Sequence, residues 1–118
     1  MNCAQMIAHC RLGIQSPLGE IKITPPPFPF NYLGSLFKSQ ATSKGIFAKN
    51  APTAKELKIV DGREFEKEKK ELITYINKIN ANQTIKSLRH VFYGNMTAEQ
   101  WGMFMYKHLN HHLTQFGV

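Results

Sequence analysis

Two histidines near the end of the chain have the spacing of metal ligands. His108 and His112 are four residues apart, so on a helix one lies above the other on the same face. At about 100° per residue, Trp101 and Met105 fall on that face too, which turns both imidazoles towards a core. Neutral imidazole is the commonest metal ligand in proteins. The pair therefore predicts half of a metal site, the alternative being two hydrogen-bonded core residues; His111 lies near the edge of the face, where partial exposure is expected.

The best candidate for a third ligand is His9. Residues 2–16 are predicted to form a helix that ends at Pro17, and Met6, His9 and Gly13 share one side of it. Glycine costs about 1 kcal/mol in a helix interior, and a close approach by another helix would explain Gly13. His9 is therefore expected beside a helix interface.

Three helices, over residues 2–16, 61–82 and 97–116, are expected to position these histidines. Thr97 with Gln100 forms a capping-box pattern, and Asp61 with Glu64 resembles one. The middle helix has an apolar stripe, formed by Phe65, Lys69, Leu72, Ile73, Ile76 and Ile79, and a charged face, residues 63–71, that we expect in solvent.

The segment between the first two helices is predicted to be a long loop. Four prolines in residues 24–30 exclude a helix there. Asn31 is suited to cap a short helix through Phe37, and residues 84–96 read as a connector. A structureless stretch of this length inside a compact domain is typical of a lid over a site.

The length of the chain predicts one domain spanning residues 1–118, and the three predicted helices make it all-α. Hydrophobic residues make up 42% of the chain and charged residues 19%, as in soluble globular proteins. The sequence contains neither an apolar run of about 20 residues nor a secretory signal. Cys3 and Cys10 lie on one predicted helix, about 10 Å apart, so they cannot pair, and both are expected to be buried. We therefore predict a cytoplasmic protein without a membrane partner.

The net charge of +7 raises the question of an anionic partner. Much of the excess is concentrated in one basic segment, which contains Lys38, Lys44, Lys49, Lys55 and Lys58 against Glu56. It can be a solvated loop, an attractor of an anionic substrate or a nucleic-acid contact. Three arginines in the whole chain argue against nucleic acid, which is recognised mainly by bidentate guanidinium contacts.

Common catalytic motifs do not occur in the sequence. It has no phosphate-binding glycine loop, no Gly-x-Ser-x-Gly elbow and no inward pair of carboxylates. Any nucleophile would then be a metal-activated water or the substrate itself.

Several blocks together resemble the DinB-like superfamily of metal-binding four-helix bundles, and within it an uncharacterised bacterial branch. The blocks are Gln5–Cys10, His90–Gly94, Trp101 and Tyr106–Gly117. They span nearly the whole chain in the order of the family.

The resemblance implies that His9, His108 and His112 hold one divalent ion, with zinc expected first and nickel or iron as alternatives. It also implies a four-helix bundle whose first helix is shortened or missing, since His9 stands only nine residues into the chain. Either the reading frame is shortened or a partner covers the gap, as a homodimer would. His90 is expected to have a structural role, with substrate contact as the alternative.

Two functions follow. One is a metal-dependent enzyme, a thiol transferase or hydrolase, that activates a low-molecular-weight thiol or water toward a small-molecule substrate, with the proline-rich loop as its lid. The other is a non-catalytic bundle that binds a small ligand or a partner around a structural or adventitious metal. An open coordination position facing a pocket would favour the enzyme.

Overall fold

The computed structural model describes residues 1–24, 54–80, 89–90 and 93–118, the backbone alone at 80 and 89–90. Three α-helices account for most of these residues, as an all-α chain requires: α1 (Cys3–Gln15), α2 (Phe65–Asn80) and α3 (Ala98–Gln115). A 3₁₀ turn (Lys55–Leu57) precedes α2, and two short antiparallel strands, β1 (Arg89–His90) and β2 (Gly94–Asn95), precede α3. The predicted connector thus contains a small strand pair that the sequence did not indicate.

Capping boxes fix the start of both helices that carry the histidines. The Thr97 hydroxyl accepts from the Gln100 backbone N–H at 3.1 Å, and the Gln100 side chain accepts from the Thr97 backbone N–H at 3.0 Å, as predicted. Asn2 and Gln5 form the equivalent pair on α1. These contacts satisfy backbone N–H groups that a helix terminus leaves unpaired.

The predicted start of α2 at Asp61 is wrong. The helix begins four residues later, at Phe65. The Asp61 carboxylate instead pairs with Arg63 Nε at 3.2 Å, and the segment before Phe65 is not helical.

The core forms where α1 packs against both α2 and α3. Its buried part is an apolar stripe on α1 and the turn that follows, joined by Leu72 of α2. Met105, Leu109 and Leu113 of α3 pack against this cluster, as do Tyr75, Ile76 and Ile79 of α2. The helix that carries His9 is therefore held from two sides.

The expectation that the charged face of α2 is solvated is wrong at Glu68, which is only 3% exposed. Arg11 of α1 contacts the Glu68 carboxylate at 3.1 Å, and Arg63 contacts it at 3.3 Å. Two guanidinium groups make burial of this charge tolerable. The face of α2 that packs against α1 therefore includes Glu68 and differs from the predicted apolar stripe, and Phe65 and Ile73 of that stripe are exposed.

Both cysteines are free thiols; Cys10 is buried as expected, whereas Cys3 is exposed, so the prediction for Cys3 is wrong. No described helix is long and apolar enough to cross a membrane. The predicted short helix 31–37, the proline-rich residues 25–30 and most of the basic segment lie outside the described residues.

Candidate metal centre

His9 projects from α1 with its tautomer fixed by a backbone carbonyl. Its ring is 4% exposed, and Nδ1 lies 2.7 Å from the carbonyl oxygen of Leu57 in the 3₁₀ turn. A carbonyl only accepts, so Nδ1–H donates and Nε2 of the neutral ring carries the lone pair. Burial lowers the pKa of His9, with the Leu57 hydrogen bond acting in the opposite direction. His9 is therefore a neutral imidazole at pH 7.

His112 is held in the same tautomer from within α3. Its Nδ1 lies 2.9 Å from Oε1 of Gln115, one turn further along the helix. Burial lowers the pKa of His112 to about 4, and the neighbouring His9 and His111 add to the shift. With Nδ1–H donating to Gln115, the lone pair on Nε2 is the free ligand atom.

Nε2 of His108 contacts Nε2 of both other histidines. The distance is 2.9 Å to Nε2 of His9 and 3.2 Å to Nε2 of His112. The three ring centroids form a nearly equilateral triangle with sides of 4.7–4.8 Å. Phe104 stacks on the His108 ring at 5.8 Å with an interplanar angle of 6°. The structure thus brings together all three residues that the sequence singled out.

The three facing nitrogens have too few protons for a complete hydrogen-bond network. His9 and His112 both present lone pairs, and a single proton on His108 Nε2 can serve only one of them. A divalent cation would satisfy all three. In a tetrahedral zinc site the imidazole nitrogens lie about 2.0–2.1 Å from the ion, which puts two of them roughly 3.3 Å apart. Two of the three separations, 2.9 and 3.2 Å, are close to that value, and all three ligand atoms lie within 4.8 Å of one another, so the donor set fits a metal.

Gly13 makes room for the third ring. A Cβ built on Gly13 would lie 3.3 Å from Cε1 and 3.5 Å from Nδ1 of His108. The predicted close approach at this glycine is confirmed, and the approaching group is the His108 imidazole of α3.

A cleft of about 320 Å³ reaches the cluster from one side. It is lined by Met1, Leu57, Lys58 and two of the three histidines, His9 and His112. Within the described ranges, no cysteine or carboxylate joins the three histidines as a further ligand. The cluster therefore has three ligand atoms and faces a space large enough for a small molecule.

His111 does not join the cluster. It is half-buried as expected, and its ring contacts His112 at a centroid distance of 5.1 Å. The side chain of His90 lies outside the described part of the chain, so its predicted role stays a prediction.

Sequence reasoning missed the groups that orient the ligands. The Leu57 oxygen belongs to the backbone, and no residue pattern marks it. Gln115 had a usable signal, because it lies three residues after His112 and on the same side of the helix.

The comparisons with known proteins show the family. The model of the DUF1569 family, described as "Protein of unknown function", matches residues 2–117, so the chain belongs to that family. No curated protein and no solved structure matches the chain.

Proposed function

We propose that this DUF1569 member is a metal-dependent enzyme of the thiol-transferase or hydrolase type. His9, His108 and His112 would hold one divalent cation, zinc first and nickel or iron as alternatives, since all three accept imidazole. The observation that carries the proposal is the convergence of three Nε2 atoms beside an open cleft.

The chain supplies binding and orientation in this proposal. The Leu57 carbonyl and the Gln115 amide keep two rings in the tautomer that turns Nε2 inward. The cleft brings a small molecule to the faces of His9 and His112. His9, His108 and His112 would hold a divalent cation there, which would lower the pKa of a bound thiol or water and so supply a nucleophile at neutral pH.

Three protein ligands favour chemistry over a purely structural metal. Structural zinc sites use four protein ligands, whereas catalytic sites use three and leave a position open. The three histidines, with no cysteine or carboxylate among the described residues beside them, follow the second pattern.

We further propose that the chain is a DinB-like bundle. Support comes from the placement of the ligands: one lies on the first helix and two lie four apart on the last, in the order that the resemblance implies. We also propose that the protein is cytoplasmic, and the free thiol of buried Cys10 is consistent with a reducing compartment.

Activity of matched metal-free and zinc-loaded protein tests the enzyme proposal. Thiol transfer to 1-chloro-2,4-dinitrobenzene and hydrolysis of 4-nitrophenyl acetate would be followed for wild type, His108→Ala and His111→Ala. We expect a zinc-dependent rate in wild type and His111→Ala that is lost in His108→Ala. Rates no higher than those of free zinc in both assays would overturn the proposal and favour the non-catalytic ligand-binding bundle.

A further inference from the structure

We propose that the substrate of the cleft carries a carboxylate or similar anionic group, which Lys58 binds while the reacting group faces the histidines. This inference rests on the proposed function and names the substrate class of the same site. Lys58 and the two ligands His9 and His112 line one cleft, so a single small molecule can reach both.

The position of Lys58 is coupled to the metal ligands through the backbone. Lys58 directly follows Leu57, whose carbonyl oxygen lies 2.7 Å from Nδ1 of His9. The backbone N–H of Lys58 donates to the carbonyl of Lys55, which closes the 3₁₀ turn. The backbone of Lys58 therefore has a defined place beside the cluster, and its side chain belongs to the wall of the cleft.

The acidic groups nearest in the chain contact other residues. Oε1 of Glu56 accepts hydrogen bonds from the backbone N–H and the hydroxyl of Thr24, while Oε2 is buried away from solvent, and Asp61 pairs with Arg63. Across the described ranges no carboxylate forms an ion pair with Lys58. Its ammonium group is thus available to a ligand.

The rest of the cleft wall lacks a negative charge. Met1 and Leu57 contribute apolar side chains, His9 and His112 contribute imidazoles, and none of the lining residues carries a carboxylate. A bound divalent cation would add positive charge, so the cleft as a whole favours an anion. A volume of about 320 Å³ lies at the small end of ligand pockets, which span roughly 300–1,000 Å³. The favoured ligand is therefore a small organic anion.

Three thiols that differ in charge test this inference. 3-Mercaptopropionate is anionic, 2-mercaptoethanol is neutral and cysteamine is cationic. Each would be titrated into cobalt-loaded protein, and binding would be followed by the thiolate-to-cobalt charge-transfer band. The variants are Lys58→Met and Lys58→Glu, with Lys55→Met as the matched control, because Lys55 is exposed on the same turn and does not line the cleft.

The decisive quantity is the change in affinity that each substitution causes for each thiol. Dividing the affinity of a variant by that of wild type for the same thiol removes the effects of the thiol's own pKa and of any chelation by its free carboxylate. We expect Lys58→Met to weaken 3-mercaptopropionate about three- to fivefold, the range of one exposed ion pair, and to leave 2-mercaptoethanol unchanged. Lys58→Glu should weaken the anion further and tighten cysteamine, whereas Lys55→Met should match wild type.

Failure of the inference and failure of the proposed function give different results. If all three thiols bind and Lys58 substitutions change none of them, or change them equally, the inference is overturned and the metal site stands. If no thiol gives a charge-transfer band in cobalt-loaded wild type, the proposal that the site binds a thiol is contradicted, and this inference is contradicted with it.

Discussion

Gly13 of α1 faces the His108 imidazole of α3 so closely that a Cβ at Gly13 would lie 3.3 Å from Cε1 of the ring. The lack of a side chain at Gly13 leaves room for the His108 ring, whose Nε2 is 2.9 Å from Nε2 of His9. A glycine in one helix therefore makes space for a proposed ligand carried by another.

Gly13→Ala should weaken zinc binding about three- to tenfold, because the added methyl group pushes the His108 ring by a few tenths of an ångström, which takes up much of the roughly 0.5 Å within which a metal site must be held. Gly102→Ala is the matched control: it lies within α3, and its Cβ would meet nothing within 4 Å. Competition titrations with a zinc-binding dye would measure both. Equal affinities for the two variants would show that the contact with Gly13 does not position His108.

Gln115→Leu should weaken zinc binding about tenfold, since loss of a hydrogen-bond acceptor behind a ligating histidine typically costs 10- to 100-fold and Gln115 is exposed. Gln115→Glu keeps an acceptor at the same place and should bind zinc at least as tightly as wild type. The same dye competition gives the answer. A Leu variant with wild-type affinity would mean that the Gln115 contact does not orient His112.

Without metal, the free energy of unfolding should fall as the pH falls from about 6.5 to about 4. The pKa of His112 is about 4 in the folded chain and about 6.5 when unfolded. In that window the unfolded state binds more protons, so acid favours it; below pH 4 both states are protonated and this contribution stops changing. The lowered pKa of His9 acts in the same direction.

Urea unfolding of metal-free protein between pH 4 and pH 7.5 measures this dependence. His112→Gln should have a shallower slope than wild type, whereas His111→Gln serves as the control and should keep most of the wild-type slope, because burial is the largest cause of the His112 shift and His111 a smaller one. Identical slopes for wild type and His112→Gln would contradict the proposed neutral, buried state of His112.

Glu68→Ala should destabilise the fold by about 1–3 kcal/mol, because Arg11 and Arg63 lose their shared buried carboxylate and keep only the more exposed Glu71 and Asp61. Glu66→Ala on the exposed first turn of α2 is the control and should change the free energy of unfolding by less than about 0.5 kcal/mol. Denaturant titration compares the two. A Glu68 variant as stable as the Glu66 variant would show that the α1–α2 ion-pair network contributes little to stability.

The two helices that carry the histidines could be predicted because their signals are local. The capping box of Thr97 and Gln100 lies within one turn, and the four-residue spacing of His108 and His112 is a property of a single helix. Gly13 also gave a usable signal, since a glycine inside a helix needs a reason and its neighbour is His108.

The predictions of burial were wrong where the exposure of a residue on one helix depends on a contact with another helix. Glu68 is buried where it pairs with Arg11, which belongs to a helix more than fifty residues away in sequence. With Glu68 on the buried face of α2, Phe65 and Ile73 face outward. Lys107 of α3 is likewise buried although its residue type favours solvent. Such burial depends on tertiary pairing, which periodicity within one helix does not contain.

Metal binding by single-histidine variants tests the central claim most directly. Metal-free wild type, His9→Ala, His108→Ala, His112→Ala and His111→Ala would each be titrated with cobalt and then with competing zinc, with stoichiometry and affinity read from the visible spectrum. The proposed centre predicts one ion per chain in wild type, a loss of affinity of about 100-fold or more in the first three variants, and a value within threefold of wild type for His111→Ala. A wild type that binds no stoichiometric metal, or a His111→Ala variant that loses as much affinity as the other three, would contradict a three-histidine site.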